Sequence, residues 1–202
     1  GLNLRSDQFN LAQNESPDLL NVDVDPRGGV RLRKGVESID AAGSALAANV
    51  KGIGSFFTDG GVSKLIANHG TAVVYSDGAA AWYAITGQTA RTDGTRMYGV
   101  TMNNLFYAVS GDLVSFKVTS GYSGTDLGTN LNGTAGNFPI AQYVAFWNNH
   151  MWTGKTRESG TYHNSRVRWS HLNDPETWDS TSYVDIDIGE RGDEITGFAP
   201  MA

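Results

Sequence analysis

The sequence has no cysteine, which excludes a disulfide framework, a cysteine-based zinc site and a cysteine nucleophile. Charge is scarce as well. Asp, Glu, Lys and Arg make up 18% of the 202 residues, against about 25% in an average soluble domain. Acidic residues outnumber basic ones, 21 to 15, for a net charge of −6. Binding nucleic acid through bulk electrostatics needs the opposite imbalance. No apolar run reaches the roughly eighteen residues that a membrane-spanning helix requires. The opening Gly1-Leu2-Asn3-Leu4-Arg5 lacks the basic-then-apolar order of a signal peptide. Proline is sparse, at 5 residues, whereas glycine is abundant, at 25. A chain that turns often, and does so with glycine, suits short strands and tight turns better than long surface helices.

The pattern along the chain agrees with an all-β class. Ser16-Pro17 can cap and open a short helical turn. Asn21 to Asp25 and Val30 to Lys34 each alternate apolar and polar residues around Pro26-Arg27-Gly28-Gly29, which predicts a β-hairpin. Its charged positions set Asp23 and Asp25 against Arg31 and Arg33, a modest cross-strand support. The Ala-rich stretch 38–49 reads as a linker. Four strand signals follow, at 53–57, 64–67, 71–75 and 82–85. Further ones lie at 97–100, 105–109 and 113–118, then at 142–147, 151–154, 167–170 and 183–188. The polar stretch 119–137 and the Ser/Arg/Gly-rich stretch after Gly154 read as loops.

The unit repeats roughly every 45 residues, and four strands per repeat is the signature of a propeller blade. Lone sheets of this kind must stack to bury both faces. Trp82, Trp147, Trp152 and Trp169, with the Tyr and Phe beside them, are the expected fillers between them. The expected organisation is an N-terminal arm, hairpin and linker over 1–49. Propeller-like blades then cover 50–202, at about 50–90, 97–135 and 140–190, with a further blade starting at 191–202. Three blades do not close a ring. The apolar ending Gly197 to Ala202, with no initiator Met at the start, predicts a piece of a longer protein. A β-sandwich or barrel is the competing fold.

The sharpest local feature is Trp169-Ser170-His171-Leu172-Asn173-Asp174-Pro175-Glu176-Thr177-Trp178. Asn173, Asp174 and Pro175 predict a turn whose side-chain oxygens bond nearby N–H groups, with Trp178 folding back on the sheet. It is similar to the Asp-box turn of sialidase-type propellers, although its spacing differs by one and Pro175 stands near the expected glycine. The resemblance implies a structural turn formed by Trp169, Ser170, Asp174, Pro175 and Trp178. Arg157, Arg166, Arg168 and Tyr162 supply the residue types of sialidase chemistry, but their spacing does not select them.

Asp185 and Asp187, with Glu190, Asp193 and Glu194 behind them, are the residue types of a calcium site, without the EF-hand or glycine-rich spacing. An acidic solvent-facing strand is the preferred account of them. The four histidines, His69, His150, His163 and His171, show no zinc spacing. There is no P-loop, no dinucleotide fingerprint and no nucleophile elbow. We therefore expect no catalytic residue, no metal and no cofactor. Arg27, Arg31, Arg33 and Lys34 form the densest basic patch, either a contact for an acidic partner or DNA or a solvated hairpin face.

The segment Asp18 to Gly35 resembles the N-terminal hairpin of bacteriophage tail and head-to-tail structural proteins with β-propeller bodies, the tail-nozzle or tail-tubular group. Two later motifs follow in that family's order: Trp169-Ser170 with Asp174-Pro175 and Trp178, then Gly192-Asp193-Glu194-Ile195-Thr196-Gly197. The resemblance spans most of the chain. It implies a virion component of the tail or connector, assembled in the bacterial cytoplasm. Its expected partners are copies of itself in a ring, other tail or portal-adaptor proteins and, passively, the DNA path. An acidic wall suits such a path, because weak contact lets DNA slide. The alternatives are a carbohydrate-binding adhesin or receptor-binding propeller and, behind it, a sialidase-type glycoside hydrolase.

Overall fold

The computed structural model describes residues 22–24, 30–32, 46, 48–76, 78, 81–186 and 194–199. The chain divides into two units, Gly1–Ser38 and Ile39–Ala202. The first contains the predicted hairpin. Strands β1 (Val22–Val24) and β2 (Val30–Leu32) pair antiparallel, with Asp23 opposite Arg31. The predicted helical turn at 16–20 and most of the 38–49 linker lie outside the described residues.

The second unit consists of three four-stranded antiparallel sheets. The first is β3 (Val50–Phe57), β4 (Ser63–His69), β5 (Ala72–Ser76) and β6 (Trp82–Ala84). The second is β7 (Tyr98–Met102), β8 (Leu105–Val109), β9 (Phe116–Val118) and β10 (Gly124–Asp126). The third is β11 (Ile140–Trp147), β12 (His150–Glu158), β13 (Thr161–Trp169) and β14 (Tyr183–Asp185). Each is an up-and-down meander in chain order. Among the described residues there is no helix, hence none long and apolar enough to cross a membrane.

Local chemistry sets the turns. The β7–β8 and β11–β12 hairpins close with two residues each, Asn103-Asn104 and Asn148-Asn149. All four have positive φ, between 50° and 63°. A two-residue hairpin of this twist needs left-handed backbone at both central positions, and asparagine tolerates it better than other side-chain-bearing residues.

The middle sheet is buried on both faces, and β8 shows why. Leu105-Phe106-Tyr107-Ala108-Val109 is an unbroken apolar run rather than an alternating one, as a two-sided core strand requires. Phe106 and Ala108, with Phe116 and Val118 of β9, meet Phe56, Ile66, Val73 and Ile85 of the first sheet. Tyr107 and Val109, with Met102 and Leu127, meet Phe138, Ala141, Met151 and Trp178 on the side of the third. The sheets thus stack face to face in sequence order, 1–2–3, over two separate cores.

Glycine permits the closest approach. A Cβ built on Gly99 would lie 2.1 Å from the Phe106 ring, and one on Gly54 would lie 2.8 Å from it. Gly99→Ala is expected to cost about 1–3 kcal/mol by overpacking. The measurement is the urea midpoint, with Gly121→Ala, whose nearest new contact is 3.7 Å away, as the control that leaves it unmoved.

Four sequence expectations are corrected. The stretch after Gly154 is not a loop: β12 runs to Glu158 and β13 starts at Thr161, across a Ser159-Gly160 turn. Its polar residues obey no apolar alternation because they pair with one another across the strands. The 119–137 stretch contains β10, anchored where Gly124 donates to the Thr86 carbonyl and Asp126 accepts from Thr89. The tryptophans named as fillers do not occupy the cores. Phe56, Phe106, Phe116, Phe138, Tyr107 and Trp178 do, whereas Trp147 is 49% exposed. The strand predicted at 113–118 begins only at Phe116.

Candidate functional site

The segment Trp169 to Trp178 lies between the second and third sheets. Ser170 continues from β13, and its N–H donates to the Met151 carbonyl while its Oγ accepts from the Met151 N–H. The Ser170 carbonyl accepts from His150 Nδ1 at 2.7 Å. Asn173, in left-handed conformation, donates to the Asn149 carbonyl. Asp174 Oδ1 accepts from the Glu176 N–H at 3.0 Å, the side-chain-capped turn that Asp-Pro signals. Trp178 is fully buried, its ring edge-on to Phe138 at 4.9 Å, and its Nε1 donates to the Pro175 carbonyl.

The segment also grips the second sheet. Glu176 receives Lys117 Nζ at 2.6 and 2.8 Å and Tyr107 Oη at 2.8 Å. Burial and this bond to an anion push the Tyr107 hydroxyl well above the ordinary phenol pKa. Asn103 of the β7–β8 turn donates to the Asn173 carbonyl. Of the five residues singled out from the sequence, Ser170, Asp174, Pro175 and Trp178 therefore sit in an interlock held by internal bonds, whereas the Trp169 ring packs on Trp152.

The densest charge cluster is on β12–β14. Glu158 receives Arg168 through Nε and Nη2, both at 2.7 Å, Arg166 at 3.1 Å and the Thr156 hydroxyl at 2.8 Å. Arg166 forms a second, two-pronged pair with Asp185, at 2.7 Å on each prong. Both guanidinium groups lie over the Tyr183 ring. Burial alone would raise the Glu158 pKa. The hydrogen bonds from Arg168 and Thr156 and the two positive charges outweigh it and bring the pKa to about 2. Arg157 lies over the Tyr162 ring.

Arg157, Arg166, Arg168 and Tyr162, which the sequence does not link, thus share one hairpin. Arg166 and Arg168 are held by Glu158 and Asp185, so the arrangement acts as a clamp on the short strand β14. Asp185 faces an arginine, and Glu194 pairs with Lys155 at 2.7 Å. Asp187, Glu190 and Asp193 lie outside the described residues, as do Arg27, Arg33 and Lys34. Among the described residues no three His, Asp or Glu side chains converge as metal ligands would.

Two apolar features had no clear sequence signal. The outer face of the third sheet forms a cleft lined by Trp147, Trp152, Val167, Val184, Ile186 and Phe198. At the end of the stack where the first hairpins turn, a smaller cleft of about 250 Å³ lies between sheet ends. Residues from three sheets meet there, which local sequence patterning does not foretell.

No family model matches this sequence, and no curated protein matches it.

Proposed function

We propose that this protein is a structural component of a bacteriophage tail or head-to-tail connector, its three sheets being blades of a β-propeller-type body. It acts through protein–protein contacts, assembling into a ring with other virion proteins in the host cytoplasm. The observation that carries the reading is the stacking of three four-stranded meanders in strict chain order, with β3 beside β7 and β7 beside β11. Propeller blades stack in this way. The sequence supports the virion part: the Asp18–Gly35 hairpin, the Trp169–Trp178 segment and the Gly192–Gly197 run follow the order of the tail family that they resemble. The use of the Trp169–Trp178 segment as an interlock fits an architectural role better than a catalytic one.

Sedimentation of the purified protein over a wide concentration range tests the ring. The reading expects a discrete oligomer. A monomer at every concentration contradicts it.

A further inference from the structure

The small cleft at the hairpin end has the makings of a binding site. It is bordered by Phe57 at the end of β3 and Phe146 near the end of β11, with Thr101 and Met102 of β7 between them and Asp59, Asn103 and Asn104 at the rim. Phe57 is 57% exposed and Phe146 38%, although the residues just before them, Phe56 and Ala145, are buried. Two exposed aromatic rings and a set of polar side chains lining one concave cleft are the makings of a small-ligand site.

The rim is rigid and has hydrogen-bonding capacity to spare. Asn104 and Asp59 hold each other: the Asp59 N–H donates to Asn104 Oδ1 at 2.7 Å, and Asn104 Nδ2 donates to Asp59 Oδ2 at 3.0 Å. Asn103 Nδ2 donates to the Asn173 carbonyl. The second oxygen of Asp59 and the side-chain oxygen of Asn103 have no partner among the described residues, and each amide nitrogen keeps a second N–H. Acceptors and donors therefore line the same cleft as the two phenyl rings.

We propose that this cleft binds a neutral saccharide, one sugar ring stacking its C–H face on Phe57 or Phe146 while its hydroxyls bond Asp59, Asn103 and Asn104. The chemistry selects this ligand class. A saccharide ring has one apolar face and a polar edge, the same division that the cleft presents. An anion would meet the Asp59 carboxylate. A purely apolar ligand would leave the amides and the carboxylate without partners. The volume, below the 300–1,000 Å³ or so of drug-sized sites, suits a single ring. This inference rests on the cleft alone and stands apart from the tail reading.

The test is saturation-transfer NMR on the whole chain. The probes are methyl glycosides of glucose, galactose, mannose and N-acetylglucosamine at about 10 mM, suited to dissociation constants in the millimolar range. At least one should receive saturation at its ring protons, and Phe57→Ala or Phe146→Ala should weaken binding about five-fold, the scale of one lost aromatic contact. Asp59→Asn, close in shape, should weaken binding while leaving the melting temperature near its original value. Tyr162→Ala, exposed and at the opposite end of the third sheet from Phe146, should leave binding unchanged. No transfer to any of the four glycosides overturns the proposal. So does transfer that persists in a folded double variant, Phe57→Ala with Phe146→Ala.

Discussion

Replacing Trp178 with alanine is expected to remove about 3–5 kcal/mol of stability, the usual cost of deleting a large buried aromatic side chain. Three facts place the effect at the upper end of single substitutions. The ring is fully buried in the core shared by the second and third sheets. It packs on Phe138, which itself stacks on Tyr107 at 5.8 Å. Its loss also removes the Nε1 bond to the Pro175 carbonyl, which closes the turn. Urea unfolding by far-ultraviolet circular dichroism measures the loss. Because the segment bridges two sheets, the variant is also expected to lower the slope of the transition, as the third sheet opens before the rest. A loss below about 1 kcal/mol would mean that the interlock contributes little.

The second large effect concerns Glu158. Its carboxyl titrates near 2 in the folded protein, against 4.5 for an ordinary glutamate. A group whose folded pKa is depressed stabilises the fold above its unfolded pKa, and the contribution fades as pH falls toward the folded one. The window here runs from about pH 4.5 down to about pH 2. The stability at stake is about 3 kcal/mol, at roughly 1.4 kcal/mol per unit of difference. Glu158→Gln should lose a similar amount at neutral pH, because Arg168, only 3% exposed, is left without its carboxylate partner. Urea unfolding of both proteins at pH 7 and pH 2.5 measures this. The difference between them should be large at pH 7 and mostly gone at pH 2.5. An equal difference at both values would assign the effect to packing instead of charge.

The sequence made some of this legible, and the reasons are physical. Strand β8 was found to the residue because Leu105 to Val109 is apolar throughout and bounded by Asn-Asn and Ser-Gly turns. The hairpin at 22–32 was found because alternation and a Pro/Gly turn coincide. Strands β12 and β13 were cut short because Lys155 to Arg166 carries charge and polarity on both faces. Their pairing depends on Glu158 meeting two arginines from the next strand, and no local pattern encodes that. The tryptophans misled for a related reason. Side-chain size signals burial, but which face of β11, β12 and β13 turns toward the second sheet is decided by the register, and Trp147, Trp152 and Trp169 fall on the other one. The turn at 173–175 was readable from Asp-Pro. The grip of Glu176 on Lys117 and Tyr107, residues 59 and 69 positions away, was not.

The three stacked sheets are proposed above to belong to an architectural ring-former of a phage tail. Negative-stain electron microscopy of the purified protein, at the concentration where sedimentation shows association, tests it most directly. Closed rings of uniform diameter with a central opening are expected. A field of single particles, or of open irregular aggregates, would contradict it.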